Sequence, residues 1–190
     1  MKRRLAKGKH TMLQQERAAI LLIDAQEKLW RVMHDKERLL EHLVKLVKGA
    51  TVLGLPILWF EQNPQGLGAT MPELAALLTS QTPLTKRSFS CCGHAAVFPE
   101  LERLKRDQIL LAGIEAHICV YQTGVELRQR GYDTRVVTDA VSSRTPENKQ
   151  LGIECLKQAG CLVTGVEMAL FELLKTAEGA AFKDILNIVK

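Results

Sequence analysis

Apolar and polar positions along the chain alternate between two kinds of segment. Residues 17–24 end in the run AAILLID, a short unbroken apolar stretch closed by an acid, as in a strand buried on both faces. From 35 to 53 the spacing becomes helical: Leu39, Leu40, Leu43, Val44, Val47, Ala50 and Leu53 form one stripe. Asp35 is placed to cap its start, and Gly54 with Pro56 ends it. PILWFE at 56–61 predicts a second strand, NPQGLGA at 63–69 a loop, and 72–78 a short helix.

The alternation continues to the end of the chain. PLTKRSF at 83–89 predicts a short strand or strand-like loop, 99–106 a short helix, and QILLAGI at 108–114 a buried strand. A helix over 116–130 stops at Gly131, and TRVVTD at 134–139 is the fifth strand. Thr145 and Pro146 start a helix that reaches Ala159 and ends at Gly160. A strand over 161–164 runs through the capping-box pattern Thr164 to Glu167 into a helix at 166–174, and a last helix covers 181–189. Strands alternating with helices predict one three-layer α/β domain, a parallel sheet with helices on both faces.

Composition changes this picture little, and charge changes it at one place. A chain of 190 residues, 46% hydrophobic and 25% charged, suits one globular domain. Its apolar runs are too short to span a bilayer, so no membrane partner is expected. The net charge of +5 comes from Lys2, Arg3, Arg4, Lys7 and Lys9. Without them the 26 basic residues fall to 21, matching the 21 acidic ones. The body is therefore neutral and is not expected to bind nucleic acid; a basic arm doing so is the rival reading. Residues 1–15 are read as a flexible basic extension and 16–190 as the domain.

Five cysteines, at 91, 92, 119, 155 and 161, give an odd count with no zinc spacing. The first residues lack the apolar core of a secretory signal, so reduced thiols in the cytoplasm are expected. No metal and no cofactor is expected.

Parallel sheets bind ligands beyond the carboxyl ends of their strands. Asp24, Lys86 and Cys119 fall at such ends, with Glu61 and Asp139 as secondary candidates. Cys119 opens a helix, where free N–H groups favour thiolate over thiol and can hold an oxyanion. Each residue also has a plainer reading. Cys119 suits a small buried position on a helix face, Asp24 suits a turn or cap, and Lys86 beside Arg87 suits a solvated pair. His117 and His94 rank below Asp24 as proton acceptors, because His117 is two residues from Cys119 and points elsewhere on a helix.

Asp24 in LLIDAQEKL, Lys86 in TKRSFSCCG and Cys119 in LLAGIEAHICVYQT resemble the Asp–Lys–Cys triad of the isochorismatase-like cysteine hydrolases. The resemblance continues through GYDTRVVTDAVSSRTPENK at 131–149 and GVEMALFELL at 165–174. NPQGLG at 63–68 is similar to the uncharacterised isochorismatase-domain subgroup. It implies a Rossmann-like sheet of six parallel strands in the order 3-2-1-4-5-6. It also implies Cys119 as nucleophile, Asp24 as base, Lys86 as supporting cation, and a cis peptide at Ile114–Glu115 that presents amides to the oxyanion. The family's nicotinamidases hold a metal through D-x-H after the second strand; FEQNPQG stands there instead, which points to metal-independent chemistry. Isochorismatases proper typically lack the cysteine, so Cys119 favours acyl chemistry. The implied activity is hydrolysis of a small carbonyl compound, an amide first, through a thioester. A catalytically idle interaction protein or a redox sensor is the alternative. Gln26, Trp30, Phe60, Asn63, Phe89 and Tyr121 flank the triad segments and are the candidate substrate contacts. A homo-oligomer is implied as well.

Overall fold

β1 (Ala18–Ile23) forms where every position is apolar, and all six of its residues are buried. The computed structural model describes residues 11–190. The other strands are β2 (Ile57–Gln62), β3 (Leu84–Lys86), β4 (Gln108–Ile114), β5 (Asp133–Ser142) and β6 (Leu162–Thr164). They make one parallel sheet in the order β3-β2-β1-β4-β5-β6, as the resemblance implies.

Both faces of the sheet are covered, because side chains of a strand alternate between them. Ala18, Ile20 and Leu22 of β1 join one apolar cluster with α2 (Lys36–Val52), α8 (Val166–Leu174) and α9 (Gly179–Val189). Ala19, Leu21 and Ile23 join the other with α6 (Tyr121–Gln129) and α7 (Pro146–Gln158). Short helices α1 (Glu27–Trp30), α3 (Pro64–Leu67), α4 (Pro72–Ala75) and α5 (Val97–Arg103) fill the connections. Among the described residues no helix is long and apolar enough to cross a membrane.

Four local expectations are revised. Asp35 does not cap α2: its backbone is left-handed and its side chain makes no capping bond, while the chain is held by His34 N–H donating to Ser143 O at 2.8 Å. Thr164 does not cap α8 either. Asp139 reaches from β5 and accepts the Val166 N–H with both oxygens, at 2.9 and 3.1 Å, placing an anion at the positive end of the helix. The segment 116–130 divides into a π-helical turn, Ala116–Val120, followed by α6. β5 extends to Ser142 through a register shift against β4 between Leu111 and Gly113.

Residues 1–10 of the expected extension lie outside the described residues. Of the rest of 1–15, Leu13 is fully buried and the Gln14 N–H donates to Gln108 Oε1 at 2.7 Å. The packed part of the chain therefore includes residues assigned to a flexible arm.

Candidate active site

β1, β2, β3 and β4 end at one edge of the sheet, and each delivers a polar group there. Asp24 follows β1 in a left-handed conformation, its N–H bonded to Phe60 O at 3.1 Å. Lys86 closes β3 in register with Gln62, the last residue of β2. Lys86 Nζ lies 2.6 Å from Asp24 Oδ2, and both side chains are fully buried. The ammonium also donates to Ser88 O at 3.1 Å and Phe89 O at 2.8 Å, so its three protons are all engaged.

Cys119 sits on the π-helical turn that follows β4, and the Ile114–Glu115 peptide before it is cis. Two glycines let this turn approach its neighbours. Gly113 has a positive φ of 113° and lies against the Ile23 backbone. A Cβ on Gly152 of α7 would fall 2.6 Å from the Ala116 carbonyl and 2.7 Å from the His117 nitrogen. Thr123 adds a tie, its Oγ1 donating to Cys119 O at 2.6 Å and accepting the Cys91 N–H at 2.9 Å. The Glu115 carboxylate is fixed by Arg144 at 3.0 and 3.1 Å.

Electrostatics here is a contest between burial and one cation. Burial raises the Asp24 pKa above its ordinary value, and Lys86 opposes that shift through its charge and its hydrogen bond. Asp24 Oδ1 is buried without a partner at full hydrogen-bond geometry. The Cys119 thiol is near enough to act on the carboxyl as a donor. Burial, then the Asp24 charge, pushes the thiol up to about 12, while Lys86 and the Glu115 N–H pull it down. The resting residue is thus a thiol, not the thiolate expected from a helix start; loss of solvent outweighs the helix end.

Gln62 was missed from the sequence. Its Oε1 lies 3.7 Å from Cys119 Sγ. The only pointer was its place at a strand's carboxyl end, one residue beyond Glu61. Glu61 itself accepts from Thr70 N–H and Oγ1, at 2.7 and 2.8 Å, and braces the loop after β2. The other candidates divide. Asn63 and Tyr121 are half-buried and Phe89 is exposed. Trp30 and Phe60 are core side chains, one in each apolar cluster, because both faces of this sheet are covered. Gln26 is fully buried and spends its amide on the backbone of Gln62 and Gly68. His117 Nδ1 lies 2.9 Å from Ser143 Oγ, and His94 Nδ1 accepts the Ala96 N–H.

Open hollows of about 520 and 1000 Å³ lie elsewhere, by Leu84 and Arg103 and by Arg17 and Tyr132. Among the described residues no three His, Cys, Asp or Glu side chains converge as a metal ion requires. What the edge brings together is a buried thiol, an unpartnered carboxylate oxygen and a buried cation.

A sequence profile of the isochorismatase domain matches residues 18–168. The chain belongs to the isochorismatase domain family. It is 35% identical over 151 residues to isochorismatase domain-containing protein 1 of Danio rerio, covering 77% of this chain. That match spans about half, 51%, of the longer relative. Isochorismatase domain-containing protein 2 of the same organism is 31% identical over 90% of this chain and 86% of its own. The solved MAR1 ribonuclease of Caenorhabditis elegans is 31% identical with a TM-score of 0.89, over 94% of this chain and 92% of that one. Solved structures below a quarter identity, among them the octameric hydrolase YcaC of Escherichia coli (19%, TM-score 0.89), share the fold. This family member thus has an isochorismatase-family hydrolase fold.

Proposed function

We propose that this protein is a cysteine hydrolase that cleaves a small carboxamide through an acyl-thioester on Cys119. The observation that carries the reading is the fully buried Asp24–Lys86 pair beside the Cys119 thiol. Burying such a pair costs several kcal/mol of desolvation per ion before the attraction between them returns it. A carboxyl made more basic by burial, paired with Lys86 on one oxygen and free on the other, is a base for a thiol that burial holds protonated.

In the proposed cycle the Cys119 proton passes to Asp24 Oδ1 as the sulfur attacks the carbonyl carbon. The amides of Glu115 and Cys119 take the oxyanion. Asp24 then gives its proton to the leaving nitrogen, an amine departs, and the thioester remains. Water loses a proton to Asp24 and attacks the acyl carbon; the acid is released as the C–S bond breaks, and Asp24 returns the proton to the sulfur, restoring the thiol. The stretch FEQNPQG, where the resemblance places D-x-H, holds neither aspartate nor histidine, which supports chemistry without a metal. Asn63, Phe89 and Tyr121 remain as rim contacts for the substrate.

The neighbours' names bear on this in two directions. A neighbour at 16% identity is the nicotinamidase PncA of Bacillus subtilis, and one at 21% is YcaC of Pseudomonas aeruginosa with covalent acrylamide. The ribonuclease name raises phosphodiester cleavage as a second reading. Lys86 has no proton free for a phosphate, which favours the amide. A homo-oligomer is proposed alongside, as is a cytoplasmic, reducing location for the five free thiols; a relative from Phytophthora sojae is named a secreted effector.

Release of ammonia from a panel of small primary carboxamides, beside degradation of single-stranded RNA, tests the reading. The expected result is ammonia from the wild type and none from Cys119→Ala. RNA cleavage that persists in Cys119→Ala, with no ammonia from any amide, would overturn it.

A further inference from the structure

The three residues of the proposed mechanism leave the thiolate short of donors. Once its proton is on Asp24, the sulfur carries a buried negative charge, and the ammonium beside it has no N–H left to give. Lys86 donates to Asp24 Oδ2, Ser88 O and Phe89 O. The Glu115 backbone N–H donates to the sulfur at rest, but in the proposed cycle it turns to the oxyanion as the attack proceeds. Gln62 supplies a second group within reach, with Oε1 at 3.7 Å from Sγ.

A carbonyl oxygen suits a thiol, whose S–H it accepts, and opposes a thiolate. A carboxamide can serve both states, because a half-turn about its last bond exchanges acceptor for donor at nearly constant volume. Nε2 of Gln62 has no hydrogen-bond partner among the described residues, so the half-turn breaks no other bond. The backbone stays fixed meanwhile, since Gln26 clamps it from both sides: Gln62 N–H donates to Gln26 Oε1 at 2.8 Å and Gln26 Nε2 donates to Gln62 O at 3.0 Å. Gln62 is only half-buried, which leaves its amide room to turn.

We infer that Gln62 is a further catalytic residue that accepts from the Cys119 thiol at rest and donates Nε2–H to the thiolate during attack. The inference rests on the cysteine-hydrolase reading above and adds a residue to it. The ionisable groups around the sulfur are Asp24 and Lys86, with Glu61 acting on Asp24 from further off. None of them is altered by a change at Gln62.

The test is the rate at which iodoacetamide alkylates Cys119 from about pH 6 to about pH 10, read peptide by peptide by mass spectrometry. Wild type, Gln62→Leu and Gln62→Glu are compared, with Cys155 as internal reference. Losing a hydrogen bond to an ionised group should slow Cys119 alkylation by about 10- to 100-fold at every pH across this range. Gln62→Glu, which sets a carboxylate against the sulfur, should slow it further still. Profiles of both variants lying on the wild type would overturn the inference. If Gln62→Leu fails to fold, the Glu variant decides alone, because the Gln26 clamp does not involve the side chain at 62. Acetylation by 4-nitrophenyl acetate separates the two claims. A wild type that takes no acetyl on Cys119 refutes the hydrolase reading and this inference with it. A wild type and a Gln62→Leu variant that acetylate equally fast refute the role of Gln62 alone.

Discussion

Replacing Lys86 with Met removes the cation from the Asp24 carboxylate while filling most of its channel with an unbranched apolar side chain. Asp24 is then stranded at zero exposure, with Oδ1 already unpartnered and Oδ2 stripped of its 2.6 Å contact. The carboxyl can stay charged, at the cost of breaking a buried pair, about 3–5 kcal/mol. Alternatively it takes up a proton. At pH 7 that route costs about 4 kcal/mol, since neutrality lies about three units above the ordinary value of 3.8 and each unit is worth about 1.4 kcal/mol. At pH 5 the same route costs only about 2 kcal/mol. In the variant the folded-state pKa is raised well above the unfolded one, so stability is retained at low pH and lost as pH rises through that window. The Ser88 and Phe89 carbonyls lose their donor too, about 1 kcal/mol each at any pH. Urea unfolding followed by circular dichroism should therefore show a larger loss at pH 7 than at pH 5, by about 2 kcal/mol. Asp24→Asn combined with Lys86→Met should recover most of the difference. An equal loss at both pH values, or a loss at pH 7 below about 1 kcal/mol, would refute the pairing argument.

Other consequences follow from packing and from the remaining thiols. Gly152→Ala sets a methyl group 2.6 Å from the Ala116 carbonyl, against backbone that cannot rotate away, so the turn bearing Cys119 must shift. We expect a loss of about 1–3 kcal/mol in urea and a larger fractional loss of Cys119 acylation; unchanged acylation would contradict the positioning of that turn by α7. Burial holds Cys119 and Cys161 at about 12 and Cys92 at about 11, against 9.0 ordinarily. Raised thiol pKa values mean stability that is constant below pH 9 and falls above it, by about 1.4 kcal/mol per pH unit for each thiol. Unfolding curves between about pH 8 and about pH 10 should show Cys119→Ala losing stability less steeply than the wild type; identical slopes would contradict a buried thiol at that position.

Much of the fold was legible because its signals are local. Unbroken apolar runs marked β1 and β4, the stripe from Leu39 to Leu53 marked α2, and Thr145-Pro146 marked the start of α7, where Thr145 Oγ1 accepts the Asn148 N–H. What failed was nonlocal. The α8 cap comes from Asp139, 27 residues upstream, and no local box could reveal it. The π-helical turn depends on α7 packing through Gly152, which the apolar pattern does not encode. At the site, Asp24, Lys86 and Cys119 stood out as reactive types at strand ends, and the resemblance joined them. Phe60 and Trp30 were misread because a sheet covered on both faces gives apolar neighbours to every position, so aromatic character does not separate core from pocket. Gln62 carries no charge and ends a strand quietly; only its distance to the sulfur singles it out. The thiol's protonation state was the opposite of the helix-end argument, because burial is set by the assembled fold.

The central claim is that Cys119, served by Asp24 and Lys86, forms an acyl-thioester. The most direct measurement is acid quenching during reaction with 4-nitrophenyl acetate, followed by peptide mapping of the acetyl group by mass spectrometry. The account predicts rapid, stoichiometric acetylation at Cys119 in the wild type, none on that peptide in Cys119→Ala, and strongly slowed acetylation in Lys86→Met. Acetyl groups confined to Cys155 or to surface lysines, with Cys119 unmodified, would contradict it.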